Sequence, residues 1–276
     1  MKTKNNGGKL ITGLVFLFLY IPIIVLIVFS FNSSKSRAMW TGFTLDWYRE
    51  LFSDSVIMSS LRVTLLVSLL AAVIATVVGT FAAIGFFNMK KKWREPLLTV
   101  NNIPVVNADI ITGVSMSLLF VSAGALFRTE LGFGTLLIAH ISFDIPYVIL
   151  SVMPKLYQLD RNLFEAAQDL GCTWFQTIYK VIIPEIMPGI VNGMIIAFTM
   201  SVDDFVISYF TAGNVQTLAM TIYSMTRRRV SPKINAISTL LFVVVLALLV
   251  IVNLRQARQD RAQRKKEKTL KGAEII

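Results

Sequence analysis

Long apolar stretches separated by short charged links make up this chain. Leu10–Ser34, Val63–Met89 and Ile234–Leu254 carry no charge at all. Pro96–Phe127 is interrupted only by Asp109, Leu131–Pro154 only by Asp144, and Ile186–Thr226 only by the adjacent Asp203 and Asp204. A transmembrane helix needs about 20 mostly apolar residues, so every one of these stretches is long enough to cross a bilayer. Ile186–Thr226 has room for two helices. Its second half (Thr211, Gly213, Asn214, Gln216, Thr217) is too polar to face lipid and reads as a helix end followed by an outer loop. The pattern predicts an all-α membrane protein of one domain, residues 1–276, with six transmembrane helices at about 10–31, 63–88, 97–126, 133–154, 185–210 and 234–254.

Composition agrees with the pattern. Of 276 residues, 55% are hydrophobic and only 16% charged, where a soluble domain would carry about 25% charged residues. The net charge of +11 reads as membrane topology rather than nucleic-acid binding, because the basic residues sit in the links. Lys2, Lys4 and Lys9 precede the first span, Lys90, Lys91, Lys92 and Arg94 fill the link between the second and third, and Arg255–Lys271 form a basic tail. With six spans all three segments fall on one side, so both termini are expected in the cytoplasm of a bacterial cell. Arg227, Arg228, Arg229 and Lys233 then lie on the outer side, where lipid headgroups or a partner protein would meet them. The first apolar run is too long for a signal peptide and has no nearby cleavage site, so it reads as an uncleaved span. One cysteine, Cys172, and one histidine, His140, exclude a disulfide framework and make a zinc or Cys-His enzyme implausible. Between the first two spans, Trp47, Tyr48, Leu51 and Phe52 alternate with Asp46, Arg49 and Glu50 as a short amphipathic helix suited to the membrane interface.

The longest cytoplasmic link, 155–184, is patterned as structure. Leu159, Leu163, Ala166, Ala167 and Leu170 share one helical face, Gly171 can end that helix, a second short helix runs from about Thr173 to Val181, and Pro184 marks the entry to the fifth span. Two short helices meeting at a glycine form a protruding elbow, which suits docking. Glu165-Ala166-Ala167, Gly171 and Val181-Ile182-Ile183-Pro184 resemble the EAA loop of ATP-binding cassette (ABC) importer permeases in composition and in every spacing. The resemblance implies the type I importer permease fold, with Glu165, Ala166, Ala167, Gly171 and Pro184 coupling the chain to an ATPase. No G-x-x-x-x-G-K-[ST] phosphate loop is present, so ATP-Mg is expected to be used by a partner, with no cofactor bound by this chain and no catalysis of its own.

Carboxylates inside spans cost roughly 2.5–3.5 kcal/mol each on insertion scales, so Asp109, Asp144, Asp203 and Asp204 call for a purpose. At an effective dielectric near 20, a carboxylate and an ammonium about 4 Å apart attract by roughly 4 kcal/mol. Phe205, Tyr209 and Phe210 beside Asp203 and Asp204 could add cation–π contacts of about 0.5–2 kcal/mol. These residues are candidates for the path of a cationic substrate. Bland alternatives stand beside that reading: Asp109 with Asn101, Asn102 and Asn107 in helix packing, and His140 with Asp144, spaced i, i+4, as a buried hydrogen-bonded pair. Adjacent residues on a helix point about 100° apart, so Asp203 and Asp204 can face one lumen only if the helix unwinds locally.

Over nearly its whole length the chain is similar to permease subunits of spermidine/putrescine importers. The similarity is carried by Trp40–Tyr48, Ala139–Phe143, Ser201–Phe210 and Ile222–Met225, with Asp144 departing from an expected neutral residue. It implies a second, PotB-like permease, two PotA-like ATPase subunits, an external PotD-like polyamine-binding protein and a lipid bilayer as partners, and no nucleic acid. Importers of other small solutes share parts of these phrases. A self-sufficient secondary carrier is the rival of another class, and it leaves the elbow without a use.

Overall fold

The computed structural model describes residues 6–34, 39–127, 130–160, 162–228 and 232–247, together with 250 and 254. The basic tail, Lys2, Lys4 and Arg229 lie outside the described residues. In chain order the helices are α1 (Asn6–Phe29), α2 (Asp46–Ser53), α3 (Ser55–Asn88), α4 (Lys91–Val106), α5 (Asp109–Phe127), α6 (Phe133–Gln158), α7 (Asn162–Asp169), α8 (Trp174–Thr177), α9 (Ile183–Asp203), α10 (Val206–Thr211), α11 (Leu218–Arg228) and α12 (Lys233–Ala247). A π-helical turn, Ile178–Ile182, joins α8 to α9. Among the described residues, four helical rods are long and apolar enough to cross a membrane: Ile11–Phe29, α3, α6 and the continuous run Trp174–Asp203. The pair α4 and α5 makes a fifth if counted as one broken span.

Three predicted elements are altered by local chemistry. The expected span at 97–126 is two helices bent by 104°. Pro104 cannot support the helical ladder behind it, Asn107 takes an extended conformation after α4, and Asp109 sits in the first turn of α5, where a negative charge suits the helix dipole. Secondly, Pro184 stands in the first turn of α9, yet helix runs into it without a break. The preceding π turn, in which the Ile183 N–H donates to Ile178 O, widens the ladder where the proline lacks its donor. Thirdly, the expected outer loop after the fifth span contains α11, which begins at Leu218, where the Leu218 N–H donates to Thr64 Oγ1 at 2.8 Å.

The chain falls into two compact units, Ser59–Thr221 and a second made of Met1–Met58 with Ile222–Ile276. In the first, a core of Ala72, Ala75, Ala83 and Ile84 from α3, Val148, Ile149, Val152, Met153 and Leu156 from α6, and Ile178, Ile182, Ile186 and Ala197 from the α8–α9 rod excludes solvent. Small residues let these helices approach closely, as is usual for helices packed in lipid. A Cβ on Gly189 would meet Lys155 Cγ at 2.8 Å, and one on Gly79 would meet Val148 at 2.9 Å.

In the second unit, α2 forms where the amphipathic pattern placed it, but Trp47 and Leu51 face protein, not a membrane interface. Trp47 is 7% exposed and its Nε1–H donates to the Asn32 carbonyl at 2.7 Å. Ser30 and the Tyr48 hydroxyl share a hydrogen bond of 2.7 Å, and the Phe31 ring stacks on Phe43. Lys233, one of the basic residues expected outside, reaches Glu50 at 3.1 Å and Asp54 at 3.7 Å, so acidic side chains at the end of α2 answer part of that charge. Arg227 lies over the Tyr223 ring at 5.9 Å.

Candidate functional site

The elbow is built by two complementary caps. Asp160 accepts the Asn162 N–H at 3.0 Å where α7 starts. At its end Gly171 has φ +84°, Gly171 N–H donates to Gln168 O at 2.8 Å, and Cys172 N–H donates to Ala167 O at 3.0 Å. This is the left-handed glycine termination in which both orphan carbonyls are satisfied. One residue later a capping box begins α8: Thr173 N–H donates to Gln176 Oε1 at 2.9 Å, while Thr173 Oγ1 accepts the Gln176 N–H at 3.4 Å. The turn is therefore specified from both sides and cannot swing freely.

Of the predicted coupling residues, Ala167 is buried while Glu165, Ala166, Gly171 and Pro184 are exposed. Leu170 does not join the apolar face as expected; it follows the last helical residue and is 86% exposed. With Trp174, Phe175 (78% exposed) and Tyr179 it gives the elbow a solvent-facing apolar surface, with the Trp174 and Phe175 rings edge to face. Trp174, Phe175 and Tyr179 do not stand among the residues expected to matter from the sequence. Their signal was the i, i+4 pair Phe175 and Tyr179, set apart from Ile178 and Ile182, which enter the core. Phe164 of α7 and Leu159 pack on that same core, so the elbow is mechanically continuous with α3, α6 and α9.

The other end of the α8–α9 rod carries the acidic residues. Helix stops at Asp203, Asp204 is extended, and α10 resumes at Val206. The expected 185–210 span is thus interrupted, which supplies the local unwinding that adjacent carboxylates require. Asp204 causes the restart: its carboxylate accepts the Ile207 N–H at 3.1 Å and the Ser208 N–H at 2.7 Å. Asp203, by contrast, is exposed. The Phe205 and Tyr209 rings are tilted at 39° with centroids 5.6 Å apart, and Tyr209 meets Phe210 edge to face.

His140 does not pair with Asp144. Its Nδ1 lies 2.6 Å from Ser201 Oγ on α9 and its Nε2 lies 3.0 Å from Ser208 Oγ on α10, with Asp204 Oδ2 at 3.5 Å. Ser208 Oγ donates in turn to the Asp204 carbonyl at 3.4 Å, so the hydroxyl can accept from Nε2–H while Nδ1 accepts from Ser201. One buried imidazole therefore bridges both sides of the break. Asp144, one turn further along α6, is also buried. Asp109 opens α5 exposed, rather than packed among asparagines. No cluster of metal-ligating side chains occurs among the described residues.

Residues 75–265 match the family model for the binding-protein-dependent transport system inner membrane component. Among curated relatives, the chain is 34% identical over 248 residues to the spermidine/putrescine transport system permease protein PotC of Escherichia coli (strain K12), covering 88% of this chain and 92% of that one. It is 38% identical over 230 residues to the putrescine transport system permease protein PotI of the same strain, covering 82% of each. A PotC from Haemophilus influenzae is 34% identical over 241 residues. Among solved structures, a bacterial ABC transporter that imports alginate superposes with a TM-score of 0.70 at 14% identity, covering 92% of this chain and 98% of that one. The methionine ABC transporter MetNI superposes with a TM-score of 0.59 at 19% identity, covering 76% and 98%. These structures share the fold, an ABC importer permease. On the match to residues 75–265 and on relatives more than 30% identical along most of its length, the chain belongs to the binding-protein-dependent transport system inner membrane component family.

Proposed function

We propose that the chain is one permease subunit of an ATP-driven polyamine importer in the bacterial plasma membrane. It pairs with a second, PotB-like permease, two ATPase subunits that use ATP-Mg, and an external polyamine-binding protein. Both termini face the cytoplasm, and six spans are completed by α1, the α4–α5 pair and α12. The observation that carries the reading is the α8–α9 rod, with an exposed apolar elbow at one end and the Asp203–Asp204 break at the other.

The rod explains how the two ends communicate. Thirty helical residues span about 45 Å at 1.5 Å per residue, longer than the hydrocarbon core of a bilayer. Closure of the ATPase dimer displaces the elbow, and Ile178, Ile182 and Ile186 carry that displacement into the core shared with α3 and α6. The break at Asp204 moves with it. Asp203, Asp204, Asp109 and Asp144 supply negative charge for ammonium groups spaced along an apolar chain. Phe205 and Tyr209 supply ring faces for the charges and the methylenes between them. Names borne by the relatives, spermidine/putrescine and putrescine permeases, support this cargo over other solutes.

Radiolabelled spermidine uptake into vesicles tests the reading, comparing the complete complex with this chain alone, each with and without ATP. ATP-dependent uptake that needs the partners and falls at least tenfold in Asp203→Asn is expected. ATP-driven transport that ignores spermidine would reassign the cargo, and uptake by the isolated chain without ATP would replace the importer with a secondary carrier.

A further inference from the structure

One carboxylate in the membrane-spanning core is left unsatisfied by the protein around it. Asp144 is 0% exposed, and neither side-chain oxygen has a hydrogen-bond partner among the described residues. Buried polar atoms are nearly always paired, so a buried carboxylate with both oxygens free needs an explanation. Asp204 makes the contrast, since its two oxygens take two backbone N–H groups and face His140.

Among the described residues, few charged or titratable groups surround Asp144. On α6 itself, His140 lies one turn before it and Tyr147 three residues after it. From the α9–α10 break Asp204 faces His140, and Asp109 opens α5. His140 spends both ring nitrogens on Ser201 and Ser208, leaving nothing for Asp144. Four residues at 1.5 Å per residue set Asp144 about 6 Å along the helix axis from His140, toward the elbow end of α6. Because His140 is 3.5 Å from Asp204, the two carboxylates are staggered along α6: Asp204 at the level of the imidazole, Asp144 one turn nearer the elbow.

We propose that Asp144 and Asp204 form a subsite for one ammonium group of the substrate, Asp144 receiving it from Asp204 as it moves toward the elbow side. This rests on the polyamine reading above and deepens it. An ammonium group brings three N–H donors and a positive charge. It thereby fills the open acceptors of Asp144. Asp144 is fully buried here, so the ammonium reaches it only when its surroundings open during transport.

The test uses the complete complex carrying Asp144→Asn or Asp144→Leu, reading spermidine uptake and thermal unfolding with and without spermidine. In Asp144→Asn, maximal uptake is expected to fall at least tenfold and the spermidine-induced rise in Tm to disappear. Without spermidine, Tm should equal or exceed that of the unaltered complex in both variants, since no internal hydrogen bond is lost. Uptake within twofold of the unaltered complex overturns the subsite, as does a fall in uptake accompanied by a lower Tm, which makes Asp144 structural. An unaltered complex that takes up no spermidine overturns the cargo reading and the subsite together; normal uptake with an indifferent Asp144→Asn overturns the subsite alone.

Discussion

Gly193 of α9 sits so close to Val148 of α6 that a Cβ on the glycine would stand 3.2 Å from the Val148 Cα. Val148 is gripped from α3 as well, where a Cβ on Gly79 would come within 2.9 Å of it. The valine is therefore the point at which three membrane helices meet without room for a methyl group. Replacing Gly193 with Val overpacks this point at a cost of about 1–3 kcal/mol. The expected result is a lower Tm of the purified complex, with Gly193→Ala losing less, read by thermal unfolding in detergent.

The elbow should be sensitive to its backbone conformation before its side chains. A β-branched residue at φ +84° is strained by about 1–3 kcal/mol, so Gly171→Val opens the turn between α7 and α8. ATP hydrolysis stimulated by the binding protein and solute uptake should fall together. Phe175→Ala and Tyr179→Ala, both removing exposed rings, should shift the stability of the chain itself by less than about 0.5 kcal/mol. They should nonetheless reduce the amount of ATPase that copurifies with the permease. Full retention of the ATPase in the double variant would show that this face is not the contact.

The imidazole bridge ranks a third set of variants. His140→Leu strands the buried Ser201 hydroxyl and leaves Ser208 only its bond to the Asp204 carbonyl, and an unsatisfied buried group costs about 1–3 kcal/mol. His140→Asn can still serve one of them. Thermal stability should fall in the order His140, Asn, Leu, and uptake should fall in the same order, because the bridge holds Asp204 on its side of the break. Equal stability across the three would mean that the serines find other partners.

In α2, Trp47→Phe keeps an aromatic ring but removes the Nε1–H that binds the carbonyl of Asn32 on the preceding loop. A typical hydrogen bond contributes about 0.5–1.5 kcal/mol, and here the carbonyl is left without that donor. Faster cleavage of the loop by an added protease is expected, with little change for Phe52→Ala, whose side chain is exposed.

Much of the fold was legible because lipid is a severe solvent. Backbone polar groups in hydrocarbon must be satisfied within the segment, so charge-free runs of 20 or more residues can only be helices, and their positions follow from counting. The elbow was legible for a different reason. Glycine at a helix end and threonine three residues before glutamine act through neighbouring backbone atoms, so Gly171 and the Thr173–Gln176 box carry their structure in local order alone. Hydrophobicity, however, says which residues avoid water and not what replaces it. Trp47 had the composition of an interface anchor and became a buried pin because the Asn32 carbonyl happened to face it.

The sequence by itself determined an all-helical membrane protein, the elbow between its helices, and four carboxylates within long apolar stretches. Tertiary structure alone decided which groups meet the buried ones among them, since the partners of a buried polar group are separated from it by tens of residues. His140 bonds to Ser201 and Ser208, 61 and 68 residues away, and not to the Asp144 that shares its helical face. The spacing i, i+4 brings two side chains near one another, but a closer hydroxyl on a neighbouring helix wins the hydrogen bond. The fifth span likewise breaks at Asp204 and not at Pro184. A proline can be absorbed by a π turn, whereas a carboxylate that caps a new helix at Ile207 and Ser208 ends the old one.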